Sequence, residues 1–139
     1  MTKPVRFEVP AQVAFDYLAD PVNRPEWQSS LKRVEGITGP VAVGQRWIDV
    51  TVPGLKPAME TTELDRPHRW AERGTWRFIS ATLTLTFTPV GERACDVGVS
   101  FVLRGKGLAA PVGAVLTLVS PPAVRADLVR AARLLAERA

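Results

Sequence analysis

Leu108-Ala-Ala-Pro-Val-Gly-Ala-Val-Leu-Thr-Leu-Val119 carries no charge, and Pro121-Pro122 separates it from an arginine-bearing tail, Ala123 to Arg138. In that tail Val124, Leu128, Ala131, Ala132 and Leu135 recur on one stripe at helical spacing. Asp127, Arg130, Arg133, Glu137 and Arg138 fall opposite, with Leu134 interrupting the charged side. If both parts are helical they reach roughly 45 Å at about 1.5 Å per residue, longer than a small domain is wide. An apolar rod of that length needs a surface to lie on. A double proline should break or kink the rod at its centre.

The residues before it read as that surface. In Ala81-Thr-Leu-Thr-Leu-Thr-Phe-Thr88 the apolar side chains Ala81, Leu83, Leu85 and Phe87 share one face and the threonines the other. Pro89 to Glu92 turns the chain, and Cys95, Val97, Val99, Phe101 and Leu103 repeat the alternation. Upstream, strands are expected over Lys3–Glu8, Arg33–Ile37, Gln45–Val52, Ala58–Leu64 and Arg69–Trp76, punctuated by Gly39-Pro40, Pro53-Gly54 and Asp65-Arg-Pro-His68. Between the first two strands, Ala11, Ala14, Phe15 and Leu18 mark a short helix over residues 10–19, with Pro10 in its first turn. Asp20 caps a second short helix opened by Pro21. Strands joined by short turns imply an antiparallel sheet. The expected fold class is α+β: a curved antiparallel sheet of about seven strands around a long C-terminal helix, with two short helices after the first strand.

A chain of 139 residues is one domain in size, and residues 1–139 are read as a single unit. Its 46% hydrophobic and 23% charged residues and a mean hydropathy of +0.03 are ordinary for a soluble protein. The N-terminus has no basic-plus-apolar leader, and the lone Cys95 cannot form an internal disulfide, so a cytoplasmic location is expected. Cys95 alternates with Val97 and Val99 and reads as a buried, inert thiol. The pI of 9.8 suggests nucleic acid, but residues 104–139 hold six basic and two acidic side chains, which accounts for the whole formal charge of +4. No aromatic residues interleave with those arginines, so a solvated helix face is expected and no nucleic-acid partner. Gly107 to Val124 is uncharged over 18 residues but contains three prolines and two glycines, poor material for a transmembrane segment.

Val9-Pro-Ala-Gln-Val-Ala-Phe-Asp-Tyr-Leu-Ala-Asp-Pro-Val-Asn-Arg-Pro-Glu-Trp27 resembles the opening of START-like (SRPBCC) proteins of the polyketide cyclase/dehydrase group. Gly44-Gln-Arg-Trp47 and the Thr62-Glu-Leu-Asp-Arg-Pro67 corner are similar to that group too, and the resemblance runs from Lys3 to about Leu135. It implies the helix-grip fold, a deep cavity between sheet and terminal helix, and apolar ligands. Relatives in that group include lipid-transfer proteins, plant hormone carriers, aromatase/cyclases and many bacterial members.

The catalytic inventory is thin. The one histidine, His68, sits in an expected turn and reads as structural or exposed. No metal site is expected, since only Cys95 and His68 could offer sulfur or nitrogen where zinc usually takes about four ligands. No motif calls for a cofactor; Gly105-Lys-Gly107 is too short for a phosphate loop. Asp16, Asp20 and Glu26 read as caps or solvated groups. What remains is a bulky lining: Trp27, Trp47, Met59, Trp70, Trp76, Phe78, Leu85, Phe87 and Phe101, with Val112 and Leu116 from the apolar run, as candidate ligand-binding residues. Each serves equally well as plain core. Around Trp47 two facings stay open. With Trp47 inward, Asp49 and Thr51 follow and give the cavity a polar strip; with Ile48, Val50 and Val52 inward, that wall is apolar.

Three functions follow in order. The first is binding or transport of a small hydrophobic molecule such as a lipid, polyketide or aromatic metabolite. The second, which the resemblance implies, is an aromatase/cyclase-like enzyme, for which Asp49, Glu72, Tyr17 or Arg73 could supply the acid or base; the catalytic residues stay unassigned. The third is a membrane-surface or protein-interaction module built on Leu108–Val119 and the arginines beyond. The oligomeric state stays open, a homodimer included.

Overall fold

The computed structural model describes residues 3–105 and 121–139. Seven strands form one sheet: β1 (Val5–Phe7), β2 (Leu31–Glu35), β3 (Arg46–Thr51), β4 (Ala58–Asp65), β5 (Arg69–Trp76), β6 (Ile79–Pro89) and β7 (Cys95–Gly105). Their order is β1-β7-β6-β5-β4-β3-β2, every pair antiparallel, so all neighbours except β1 and β7 are also neighbours in sequence. Helices α1 (Ala11–Ala19) and α2 (Arg24–Trp27) fill the connection from β1 to β2, and α3 (Pro121–Arg138) ends the chain. The expected α+β architecture is therefore present, with the sheet curved around the C-terminal helix.

The local causes are those the sequence suggests. Pro10 precedes α1, where its missing N–H costs nothing. The Asp20 carboxylate accepts the Val22 N–H at 3.0 Å and caps a 3-10 turn, Pro21–Asn23, that runs into α2. Irregularities in register between Leu31 and Arg33, and between Thr61 and Glu63, bend the far strands. Pro121 and Pro122 stand in the first turn of the described helix, a position that tolerates proline. The apolar run Leu108–Val119 lies outside the described residues.

Helix α3 buries Leu128, Ala131 and Leu135 in a core that includes Phe7, Phe15, Leu18, Trp70, Leu85, Phe87 and Val97. Phe15 meets Phe87 edge to face with ring centroids 5.1 Å apart. Two arginines of α3 fasten it to α2: Arg130 Nε donates to the Glu26 carbonyl at 3.0 Å, and Arg138 Nη1 to the Glu26 carboxylate at 3.0 Å. Tyr17 donates to that same carboxylate at 2.8 Å, and burial with this bond pushes its hydroxyl up to about 12. Asp127, expected on the wet face, instead accepts from Ser29 N–H at 3.2 Å and Ser29 Oγ at 2.9 Å. No described helix is long and apolar enough to cross a membrane.

Candidate functional site

The inner faces of β5, β6 and β7 have two different ends. At one end Trp70, Leu85, Phe87, Cys95 and Val97 are packed into the core. At the other, Glu72, Gly74, Trp76, Ile79, Ala81, Leu83 and Phe101 border a cavity of about 120 Å³. Leu31, Leu55, Pro57 and Met59 continue its wall across the sheet, and Trp27, Gln28 and Ser30 come from the segment around α2. Val124 and Asp127 of α3 close another side. The walls are mostly apolar, and four of the polar groups, Arg24, Gln28, Asp49 and Glu72, form one hydrogen-bonded cluster, with Asp127 apart from it on α3.

That cluster is built around Arg24. Its side chain is 2% exposed and projects from α2 between two buried carboxylates, Asp49 on β3 and Glu72 on β5. Arg24 Nε and Nη2 donate to the two oxygens of Asp49 at 3.1 and 2.7 Å, a two-pronged grip. Nη1 donates to Glu72 Oε2 at 2.7 Å, while Nη2 lies 3.5 Å from Oε1. The guanidinium lies over the Trp47 ring, 5.1 Å from its centroid. Trp47 Nε1 in turn donates to Asp49 Oδ1 at 2.9 Å, so one indole fixes both members of the pair.

These contacts settle the facing of β3. Trp47, Asp49 and Thr51 are buried while Ile48 and Val52 are exposed, so the polar strip is the one that points inward. Val50 is also covered, though alternation puts it on the opposite face.

Burial raises the Glu72 carboxyl to about 7; the Arg24 charge pulls the other way, and Asp49 adds to the rise. For Arg24, burial opposes the charge, but the two carboxylates outweigh it and the guanidinium stays firmly protonated. Asp127 is also raised, mainly by burial, against the two bonds from Ser29.

Of the residues expected to line a cavity, Trp27, Met59, Trp76 and Phe101 do so. Trp47 faces inward but lies beneath the Arg24 guanidinium and is not part of the lining. Trp70, Leu85 and Phe87 belong to the packed end. Phe78 is 74% exposed at the tip of the two-residue turn from Trp76 to Ile79, whose other member, Arg77, adopts a positive φ of 53°. Val112 and Leu116 lie outside the described residues. Of the four candidate acid or base groups, Asp49 and Glu72 reach the cavity, Tyr17 is tied to Glu26, and Arg73 lies 3.5 Å from Glu60 on the outer face. His68 is exposed in its turn, and burial pushes the Cys95 thiol up to about 11, which keeps it unreactive. Among the described residues no group of three or more His, Cys, Asp or Glu is placed to hold a metal ion.

Arg24 is the residue that sequence reading passed over. A signal was present: with Trp47 inward, Asp49 follows on the same face, and Trp70, Glu72, Gly74 and Trp76 alternate likewise on β5. Two carboxylates on the dry side of a sheet call for a buried cation or for protonation.

Solved structures share this fold. A START superfamily protein from Mycobacterium smegmatis is similar with a TM-score of 0.70 at 12% identity, covering 96% of each chain. Norcoclaurine synthase from Thalictrum flavum, solved with dopamine and hydroxybenzaldehyde, gives 0.71 at 16% identity over 98% of this chain and 85% of that one. The di-domain ARO/CYC protein StfQ from the steffimycin biosynthetic pathway gives 0.74 at 17% identity, over 97% of this chain and 49% of that one. No curated protein sequence matches the chain. The family model described as "Polyketide cyclase / dehydrase and lipid transport" matches residues 1–139, and the chain belongs to that family.

Proposed function

We propose that this protein binds a small, largely hydrophobic molecule in the cavity between sheet and C-terminal helix, as a carrier or receptor. One observation carries the reading: a hollow of about 120 Å³ with walls such as Leu31, Met59, Trp76, Leu83 and Phe101, and a few polar groups, chiefly the Arg24 cluster. Apolar walls supply affinity through desolvation, and a few fixed polar groups orient the guest. An engineered cavity of about 150 Å³ in another protein accepts one benzene ring, so the guest's inner part is about one ring in size. Native mass spectrometry and calorimetric titration with 2-phenylethanol test the reading. Saturable uptake of one molecule per chain is expected; a protein that takes up none at millimolar concentration refutes it.

A second reading is a cyclase-like enzyme, and Glu72 is the observation that favours it. A carboxyl on the cavity wall raised to about 7 can give or accept a proton at neutral pH. In that reading the cavity folds a flexible poly-carbonyl chain and Glu72 transfers the proton during ring closure. Loss of turnover in Glu72→Gln with KM retained supports it; turnover unchanged in that variant removes it.

A further inference from the structure

We propose that the cavity selects a guest whose polar end donates hydrogen bonds or carries positive charge, an arylalkyl amine being the strongest case, and rejects carboxylates of the same size. This names the ligand class of the site proposed above and rests on that reading.

A buried arginine on a cavity wall would ordinarily anchor an anion. Here its donors are already spent. Asp49 takes Nε and one Nη2 bond, and Glu72 takes an Nη1 bond. The Gln28 amide, turned as its surroundings favour, places its oxygen 3.2 Å from both Nη1 and Nη2. Trp47 covers one face of the guanidinium. An incoming carboxylate finds no free N–H on Arg24 without breaking a bond already made.

The acceptors are less fully used. Asp49 receives two bonds from Arg24 and a third from Trp47. Among the described residues Glu72 receives one short bond, and its Oε1 has only the 3.5 Å contact. With the residue 5% exposed, that oxygen has little access to bulk water, so a donor brought in by the guest has a partner waiting. The charges facing Glu72 are Arg24 from α2 and Asp49 from β3; its neighbours across the ladder, Thr61 on β4 and Leu83 on β6, carry none. Asp127 lines the cavity from α3. One guanidinium and three carboxylates give the described lining a formal charge of −2. Of residues 106–120 only Lys106 is charged. A cation entering such a site relieves repulsion, whereas an anion adds to it and gains no donor from Arg24; the buried Trp27 Nε1, which has no partner among the described residues, favours neither charge over a neutral acceptor.

Isothermal titration of the full chain with 2-phenylethylamine, 2-phenylethanol and 3-phenylpropionate at pH 7.5 decides the matter. The amine should bind at least about tenfold more tightly than the carboxylate, with the alcohol between. Amine affinity should fall by up to about tenfold per pH unit as Glu72 takes up its proton below neutrality. Glu72→Gln should bring amine and alcohol to within about twofold of each other; if that variant does not fold, the wild-type pH series answers the same question. Carboxylate binding as tight as amine binding, or an amine preference that survives Glu72→Gln, overturns the proposal. Uptake of the alcohol with no preference for the amine overturns it and leaves the site standing. Failure to bind any of the three probes overturns both.

Discussion

Phe87 and Phe101 lie on adjacent strands, both in apolar-in alternation, and the sequence around each reads the same way. Phe87, on β6, is fully buried in the core and meets Phe15 edge to face. Phe101, on β7, is half-buried and borders the cavity. Alternation decides which face of a sheet a side chain takes, but the depth of the layer above decides whether it meets atoms or space. The helices α1 and α3 cover one end of the inner face closely, while the other end keeps a hollow with charge at its edge.

The largest expected effect breaks the comparison at its packed end. Phe87→Ala should cost about 3–5 kcal/mol of stability, while Phe101→Ala, facing an existing void, should cost no more than about 1.5 kcal/mol. Denaturant titration of both variants measures the difference, and equal losses would mean that the two ends are packed alike. Arg24→Met should cost a similar 3–5 kcal/mol near pH 8, because it leaves Asp49 and Glu72 buried without their cation. The loss should shrink as pH falls and the carboxyls take up protons; a loss independent of pH would remove electrostatics as its cause.

The next effect is the pH dependence of the unmodified protein. Glu72 is raised in the fold to about 7 from 4.5, so the folded state holds the proton more tightly than the unfolded one. That extra stability is complete below about 4.5 and is lost as pH rises to about 7, at up to ~1.4 kcal/mol per unit. Midpoints of urea unfolding across this window, compared with Glu72→Gln, isolate the contribution: the variant's profile should lack this slope.

The smallest effect sharpens the cavity itself. A Cβ added at Gly74 would come 2.8 Å from Met59 Sδ and 3.2 Å from its Cε, atoms at the flexible end of a side chain. Gly74→Ala should change stability by less than about 1 kcal/mol, since the thioether can move aside. Affinity for 2-phenylethanol should drop several-fold as Met59 shifts within the wall, and calorimetry reads both quantities.

Much of the fold was legible because its signals are local. The threonine-faced strand at residues 81–88, the Asp20 cap and the turn at Pro89–Glu92 each depend on neighbours a few positions away. The site was less legible because its defining bonds are not local: Arg24 reaches partners 25 and 48 residues distant. Its neighbours Asn23, Pro25 and Glu26 give no sign that it is buried. Trp70 and Trp76 share one strand and one face, and nothing in their spacing separates the core indole from the cavity indole. The lining expected from aromatic content therefore mixed two populations that only the tertiary packing distinguishes.

The hollow beside Ala81, Leu83 and Phe101 is the proposed binding space. Titration of 2-phenylethanol into the wild-type protein and into Ala81→Phe, followed by tryptophan fluorescence, tests it most directly. Saturable one-to-one binding in the wild type that disappears when the added phenyl ring occupies the hollow is the predicted result. Equal binding by both proteins, or by neither, would contradict it.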